Sequence, residues 1–124
     1  MKNKLIALNL SLIAILVVLV VFKHEIVATG QISSVVASWY GFESCVNPSC
    51  LMANGEVFDE DEISCASRTH YGKVLEISYK GKTILCRVND KNSKKYDATR
   101  VDISRAGFLE LENLDKGIIQ VVIR

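Results

Sequence analysis

An uncharged apolar block of 18 residues, Leu5 to Phe22, constrains this chain more than any other feature. As a helix, a block of this length spans ~27 Å, close to the hydrocarbon thickness of a bilayer. Lys2 and Lys4 precede it, and such cationic flanks tend to stay on the cytoplasmic side. We therefore predict a single transmembrane helix in residues 1–22, anchored in the cell membrane, with everything after Phe22 outside.

A cleaved signal peptide is the alternative for residues 1–22, because Ala28 is a small residue after which a cut could fall. The chain would then be secreted. We favour the retained anchor, since the apolar run is longer than a usual signal core and the residues 26–28 match a cleavage site poorly. Residues 23–34 are predicted to form a tether, and residues 35–124 a single compact domain.

The chain after the apolar block is close to electrically neutral. Lys2 and Lys4 are two of the 15 basic residues, so 13 basic side chains accompany all 14 acidic ones in the remainder. Proteins that bind a phosphate backbone usually carry a strong positive field. The composition therefore argues against nucleic acid as a partner.

Four cysteines lie in the predicted exported part: Cys45, Cys50, Cys65 and Cys86. An even set in a small domain outside the reducing cytoplasm predicts two disulfides, for which three pairings are possible. We favour Cys45 with Cys50, across the Pro48 turn, and Cys65 with Cys86, both in predicted strands. Zinc is the alternative, but the spacing of the first pair is loose and no second close pair accompanies it. No metal and no cofactor are predicted.

Short strand-like segments follow one another after residue 35. The predicted strands are 35–40, 62–68, 73–79, 83–88 and 118–123. Lys80-Gly81 predicts a hairpin turn, and Ser104 is predicted to cap a helix over residues 105–113. Asp102, just before that helix, is expected to be a structural cap. Short strands without a βαβ rhythm predict a closed barrel, since closure removes exposed sheet edges.

Separated motifs of the exported part occur in one order. They are Ala-Ser-Trp-Tyr-Gly at 37–41, Met-Ala-Asn-Gly-Glu-Val-Phe-Asp at 52–59, Arg-Val-Asn-Asp at 87–90 and Arg-Val-Asp-Ile-Ser at 100–104. In order and spacing they resemble the motifs of rare lipoprotein A domains, over about residues 35–124. The resemblance implies a mainly β fold, a six-stranded double-psi β-barrel with one or two short helices. Some of these relatives carry a cysteine-bounded loop before the Ala-Asn-Gly-Glu motif, which supports the Cys45–Cys50 bridge.

The resemblance also implies a role at the glycan strands of peptidoglycan. Some members are lytic transglycosylases, which are lyases, whereas the related barrels of expansins and barwin-like proteins bind or loosen polysaccharide without hydrolysing it. Two hypotheses follow. The chain is a peptidoglycan lytic transglycosylase, or it is a non-catalytic cell-wall polysaccharide-binding or loosening module. A third hypothesis is a disulfide-bonded structural domain that binds a protein partner.

The candidate catalytic residues are Asp90 and Glu56. Lytic cleavage needs a group that protonates the glycosidic oxygen and a base that draws a sugar hydroxyl onto the anomeric carbon, and one carboxyl can do both in turn. Asp90 follows an apolar strand, where the barrel would present it at a groove. Glu56, in the Gly-Glu motif, would be its partner. A turn residue at 90 and a solvated acidic loop around 56 are the structural alternatives.

One position departs from the family pattern. The strand after the Gly-Glu motif typically ends in Ala-Ala-His in active members, whereas this chain has Cys65-Ala66-Ser67, and His70 follows three residues later. Ser67 thus occupies the position of the family histidine. The enzyme and binding hypotheses stand side by side for this reason.

Residues at four positions are candidates for substrate binding: Tyr40, Ser67, His70 and Arg87. Aromatic rings stack on sugar faces, and alternation along a strand sends one of Trp39 and Tyr40 outward. Ser67 could donate a hydrogen bond to a sugar. Core packing for the aromatic pair and a surface position for His70 are the structural alternatives.

Overall fold

A computed structural model describes Asn9, residues 30–96 and residues 98–124. Within these ranges Gln31–Arg124 forms one compact unit. The transmembrane or signal segment predicted in residues 1–22 falls outside the described residues, apart from Asn9. In the part of the chain that is described, every helix is too short or too polar to span a bilayer.

The described domain is mainly β, as predicted. Its strands are β1 Ser33–Tyr40, β2 Ser64–Ala66, β3 Val74–Tyr79, β4 Lys82–Asp90, β5 Arg100–Ser104 and β6 Ile118–Ile123. The helical elements in the described ranges are α1, Arg105–Leu111, and 3-10 turns at Phe42–Ser44 and Leu114–Lys116. The predicted strand at 62–68 is shorter in the structure, and the one predicted at 83–88 extends to Asp90.

The six strands close into a barrel in the order β1-β5-β2-β4-β3-β6. β1 runs parallel to β5 and β2 runs parallel to β4, while the other neighbours are antiparallel. β2 has only three residues. At its first residue, Ser64, it contacts the Tyr40 hydroxyl, and at its last, Ala66, it pairs with Asp90. The short β2 therefore brings the end of β1 close to the end of β4.

Most of the core follows from alternation along the longer strands. In β6, for example, Ile119, Val121 and Ile123 point inward, and the residues between them are exposed. Cys65 and Cys86 are both 0% exposed and form a disulfide across the neighbouring strands β2 and β4, with their Cα atoms 5.9 Å apart. The second disulfide joins Cys45 and Cys50. The pairing favoured from the sequence is therefore confirmed.

Two local predictions also hold. Lys80 and Gly81 both have positive φ, 46° and 79°, as the two central residues of a tight hairpin require. The Ser104 side chain accepts a hydrogen bond from the Gly107 N–H at 3.4 Å and so caps α1. Phe108 and Leu111 of α1 pack against the barrel core.

Asp102 does not cap the helix. It lies within β5, where it accepts a hydrogen bond from the Ser38 hydroxyl at 2.5 Å and an ion-pair contact from Arg100 at 3.2 Å. Arg100 also donates to the Ser38 hydroxyl at 2.7 Å. The expected structural role is thus correct, but Asp102 ties β1 to β5, and Ser104 does the capping.

Candidate functional site

A surface pocket lies where β1 and β4 end. Tyr40, Met52, Phe58 and Asp90 line it, together with residues of the loop closed by the Cys45–Cys50 disulfide. Its cavity volume is about 60 Å³, and it is partly open to solvent. We call it the Asp90 pocket. It combines a carboxylate, aromatic rings and apolar walls, which is the usual make-up of a site for a small polar ligand.

Tyr40 forms one wall of the Asp90 pocket. Its ring centroid lies 5.1 Å from that of Phe58, and its hydroxyl lies 3.2 Å from the Ser64 hydroxyl. Burial raises the pKa of Tyr40 to about 12; a hydrogen bond with Ser64 opposes this rise, and the negative charges of Asp90 and Asp102 add to it. The phenol therefore stays neutral over the whole physiological range.

Trp39 and Tyr40 separate as strand alternation predicts. Trp39 packs against the core, and its indole N–H donates to the Leu114 carbonyl at 3.1 Å. Tyr40 lines the Asp90 pocket. Of the two rings, Tyr40 is the one placed for a ligand.

Asp90 is the last residue of β4 and is half-buried. Its carboxylate accepts a hydrogen bond from the Ala53 N–H at 2.8 Å, and its backbone carbonyl accepts one from the Ser67 N–H at 3.0 Å. The contact with Ala53 fixes the turn of residues 52–55 against the end of the strand. The carboxylate thus anchors a turn and faces the pocket at the same time.

Glu56 does not line the Asp90 pocket. Arg87 donates two hydrogen bonds to its carboxylate, at 2.5 and 2.8 Å, and the Asn89 amide donates a third at 3.3 Å. These bonds, Arg87 first, lower the pKa of Glu56 from 4.5 to about 2. The carboxyl is ionised at neutral pH and has no proton to give. The structure therefore pairs Glu56 with Arg87 and does not place Glu56 in the Asp90 pocket.

Ser67 and His70 form a separate pair. Ser67 is 1% exposed, and its hydroxyl lies 3.1 Å from His70 Nδ1 and accepts the His70 N–H at 3.3 Å. Burial and the nearby Lys73 lower the pKa of His70, so the imidazole is neutral at neutral pH. His70 lines a different cavity, with Lys73 and Arg124. Neither residue lines the Asp90 pocket, so a direct role there for the Ser67 hydroxyl remains a prediction without geometric support.

The loop closed by Cys45–Cys50 and the Phe58 ring belong to the site but were not predicted as parts of it. Phe58 is buried beneath Tyr40, and Phe42 meets it edge-on at 5.4 Å between ring centroids. Val46, inside the disulfide loop, is fully exposed. Phe58 lies in the motif at residues 52–59, and its place in that motif was the sequence feature that could have indicated a role in the site. Among the described residues no cluster of three histidine, cysteine or carboxylate side chains could hold a metal ion.

Comparison with known proteins gives a short sequence match. A papain inhibitor from Streptomyces mobaraensis is 42% identical over 48 residues, which are 39% of this chain and 33% of that protein. This chain thus spans about a third of the length of that relative. No protein-family model matches the chain.

Solved structures give a broader likeness. The Streptomyces papain inhibitor has a TM-score of 0.63 at 23% identity, covering 79% of this chain and 96% of that one. An expansin from Clavibacter michiganensis has a TM-score of 0.60 at 16% identity, covering 76% of this chain and 50% of that one. A mutant of that expansin in complex with cellohexaose has the same TM-score at 15% identity. These proteins are double-psi β-barrel relatives, so the described domain has the fold of a double-psi β-barrel.

Proposed function

We propose that this chain is an exported, non-catalytic module that binds cell-wall polysaccharide, of the expansin-like kind. One observation carries the proposal: the Asp90 pocket joins a carboxylate to the flat aromatic ring of Tyr40, while Glu56, the expected second carboxylate, is bound to Arg87 elsewhere. Such a pocket can contact part of a sugar ring. Asp90 is the only carboxylate among the described residues that line it, so no second carboxylate assists Asp90 there.

The pocket chemistry suits a sugar ring. The Asp90 carboxylate uses one oxygen for the Ala53 N–H and keeps acceptor capacity for sugar hydroxyls. The Tyr40 ring lines the pocket and provides apolar surface for the carbon face of a pyranose, and the buried Phe58 ring packs against it with 5.1 Å between centroids. The neutral Tyr40 phenol adds no charge that would repel Asp90.

The comparisons favour this reading over a lytic transglycosylase. An expansin of similar fold has been solved in complex with cellohexaose, a polysaccharide fragment, although this chain covers only half of that protein. Proton donation to a leaving sugar oxygen would rest on Asp90 alone, because the pKa of Glu56 is about 2. Ser67, in the position of the family histidine, is buried.

Peptidoglycan is the polysaccharide we propose, with the domain held outside the cell by Leu5–Phe22. The glycan follows from the resemblance to rare lipoprotein A domains in residues 35–124. The location follows from the uncharged apolar block and the two lysines before it. We propose the cytoplasmic membrane as its anchoring surface, with secretion as the outcome if the block is cleaved.

The test is to incubate the full chain with insoluble peptidoglycan and, separately, with cellohexaose. We expect binding without soluble anhydro-sugar products by mass spectrometry. Asp90→Asn should weaken binding roughly tenfold, because a hydrogen bond to a charged group is lost. Asp115→Asn is the matched control, since Asp115 is exposed in the 3-10 turn Leu114–Lys116. Anhydro-sugar ends that disappear in Asp90→Asn would establish the enzyme instead.

Inhibition of a papain-like protease is the second candidate. It is favoured by the 42% identity over 48 residues with a papain inhibitor and by Val46, which the Cys45–Cys50 loop presents fully exposed. The test measures papain activity with increasing full chain. Inhibition that Val46→Asp removes would support this candidate, and unchanged papain activity would reject it.

A further inference from the structure

A second pocket lies on the other side of the turn that borders the Asp90 pocket. Asn54, Tyr71, Arg87 and Asn89 line it, and its cavity volume is about 240 Å³, partly open to solvent. We call it the Arg87 pocket. The 52–55 turn is fastened on both sides: the Ala53 N–H bonds to the Asp90 carboxylate at 2.8 Å, and the Asn54 N–H to the Asn89 carbonyl at 3.2 Å. The two pockets therefore flank a single, fixed turn.

Arg87 lines this second pocket and forms an ion pair with Glu56. The Arg87 side chain is 50% exposed and that of Glu56 44%, so both face solvent. Because the pKa of Glu56 is about 2, the pair presents a permanent acceptor beside a permanent donor with no net charge. Adjacent sugar hydroxyls both donate and accept, and they match such a pair. Because Glu56 already compensates the charge of Arg87, this guanidinium offers little net attraction to a carboxylated sugar.

Asn89 adds an acceptor that the protein does not use. It is 6% exposed, and its amide nitrogen donates to Glu56 at 3.3 Å, which fixes the direction of the side chain. Among the described residues, nothing donates a hydrogen bond to its Oδ1. A buried acceptor without a donor costs free energy that an incoming hydroxyl would recover. The oxygen has almost no exposed surface, so we expect a small side-chain shift in the pocket when the hydroxyl arrives.

Tyr71 supplies the aromatic surface. It is 37% exposed, and the Lys91 ammonium lies 4.6 Å from its ring centroid. The ring is thus held in place by a cation while part of it remains open. The Arg87 pocket therefore places a partly exposed aromatic ring beside polar side chains.

We infer that the Arg87 pocket is a second sugar subsite, which takes an uncharged pyranose, so that one polysaccharide chain crosses the 52–55 turn and occupies both pockets. The inference rests on the proposed polysaccharide binding and deepens it. It assigns Tyr71, Arg87 and Asn89 to ligand contact and selects neutral sugars over uronic acids at this position.

The experiment is a nuclear magnetic resonance titration of the isotope-labelled full chain with cellobiose and with cellohexaose. We expect the hexamer to bind more tightly than the dimer and to shift the backbone signals of Tyr71 and Gly72 and the side-chain amide of Asn89. Tyr71→Ala should weaken hexamer binding ~threefold to tenfold and leave dimer binding unchanged. Tyr71→Phe, which keeps the ring, should bind like the natural chain.

Leu85→Ala is the matched control, because Leu85 is 67% exposed on the same outer face of β4 as Arg87. Arg87→Gln gives a second test that does not depend on Tyr71, and it should also remove the advantage of the hexamer. Shifts confined to the Asp90 pocket, with no effect of either variant, would overturn the second subsite and leave the proposed function intact. Absence of binding by both sugars would overturn the proposed function itself. Equal affinity for a galacturonate hexamer would overturn the preference for neutral sugars.

Discussion

The two disulfides mark two regions of this domain with different physical characters. Cys65–Cys86 is wholly buried inside the barrel, between β2 and β4. Cys45–Cys50 is only partly buried, in a surface loop that walls the Asp90 pocket. The first crosses the apolar core, and the second shapes a polar and aromatic rim.

The difference indicates that the region around Cys65–Cys86 mainly stabilises the fold, whereas the region around Cys45–Cys50 mainly serves binding. Around Cys65–Cys86 the neighbours are inward-facing aliphatic residues, whose burial supplies most of the folding free energy. Around Cys45–Cys50 the contacts are single hydrogen bonds and exposed side chains such as Val46, which add little stability. We therefore expect loss of the buried bridge to be a folding defect, and loss of the exposed bridge to be mainly a binding defect.

The largest expected effect is on the buried bridge. In the double variant Cys65→Ala, Cys86→Ala, the free energy of unfolding should fall by about 3 kcal/mol, because the cross-link closes a long loop. The two half-cystines are 21 residues apart in sequence. The missing sulfur atoms also leave a cavity, which adds to the loss. Urea unfolding of the full chain measures the free energy of unfolding. A loss smaller than about 1 kcal/mol would contradict the expected role of the buried bridge.

The double variant Cys45→Ala, Cys50→Ala should lose less stability than the variant of the buried bridge, but it should lose more of its affinity for sugar. The bridge closes only five residues of sequence, so we expect a loss of at most about 2 kcal/mol. Cellohexaose affinity should fall several-fold, because the wall of the Asp90 pocket loosens. Urea unfolding and sugar titration on the same sample give both numbers. A binding affinity equal to that of the natural chain would show that the loop is not part of the site.

Mild reduction should separate the two bridges without any substitution. A reductant reaches the partly exposed Cys45–Cys50 bridge in the folded protein, whereas Cys65 and Cys86 have no exposed surface. Alkylation followed by mass mapping should therefore label the first pair well before the second. Simultaneous labelling of all four thiols would mean that the barrel opens as readily as the loop.

The smallest expected effect concerns Tyr40, which lies at the border between the two regions. Its pKa is raised from 10.0 to about 12, chiefly by burial. The folded state therefore keeps the proton longer than the unfolded chain, so this contribution to stability is present below pH 10 and is lost as the pH rises towards 12. Ultraviolet titration should show one tyrosine that ionises late, and Tyr40→Phe should remove it. Tyr79→Phe is the control, and a late tyrosine that survives Tyr40→Phe would show that Tyr40 is not buried against the pocket.

Much of the barrel could be predicted from local pattern. The residues 118–123 alternate so regularly that the strand bounds agree with the structure, and Lys80-Gly81 and Ser104 behave as their chemistry dictates. The strand predicted at 62–68 was too long, because Ser64–Ala66 is held by its neighbours β4 and β5 and not by a pattern of its own.

The candidate site was less predictable. Asp90 and Tyr40 were named from motifs, and the structure places both in one pocket. The partnership between Glu56 and Arg87 was not foreseen, since 31 residues separate them and nothing local to either one points to the other. The role of each carboxylate depends on this pairing. The motif alone could not distinguish a carboxyl that can donate a proton from one that is held ionised in an ion pair.

The sequence by itself determined where the chain is apolar, which strands alternate, where the hairpin turns and which cysteine pairs are favoured. These properties depend on residue type and on spacings of a few positions. Only the tertiary structure decided that Glu56 faces Arg87, that Asp102 bonds Ser38 and that Asp90 shares a pocket with Tyr40. The physical reason is barrel closure: it brings together side chains tens of residues apart, and the charge, burial and hydrogen bonds that set their chemistry exist only after they meet.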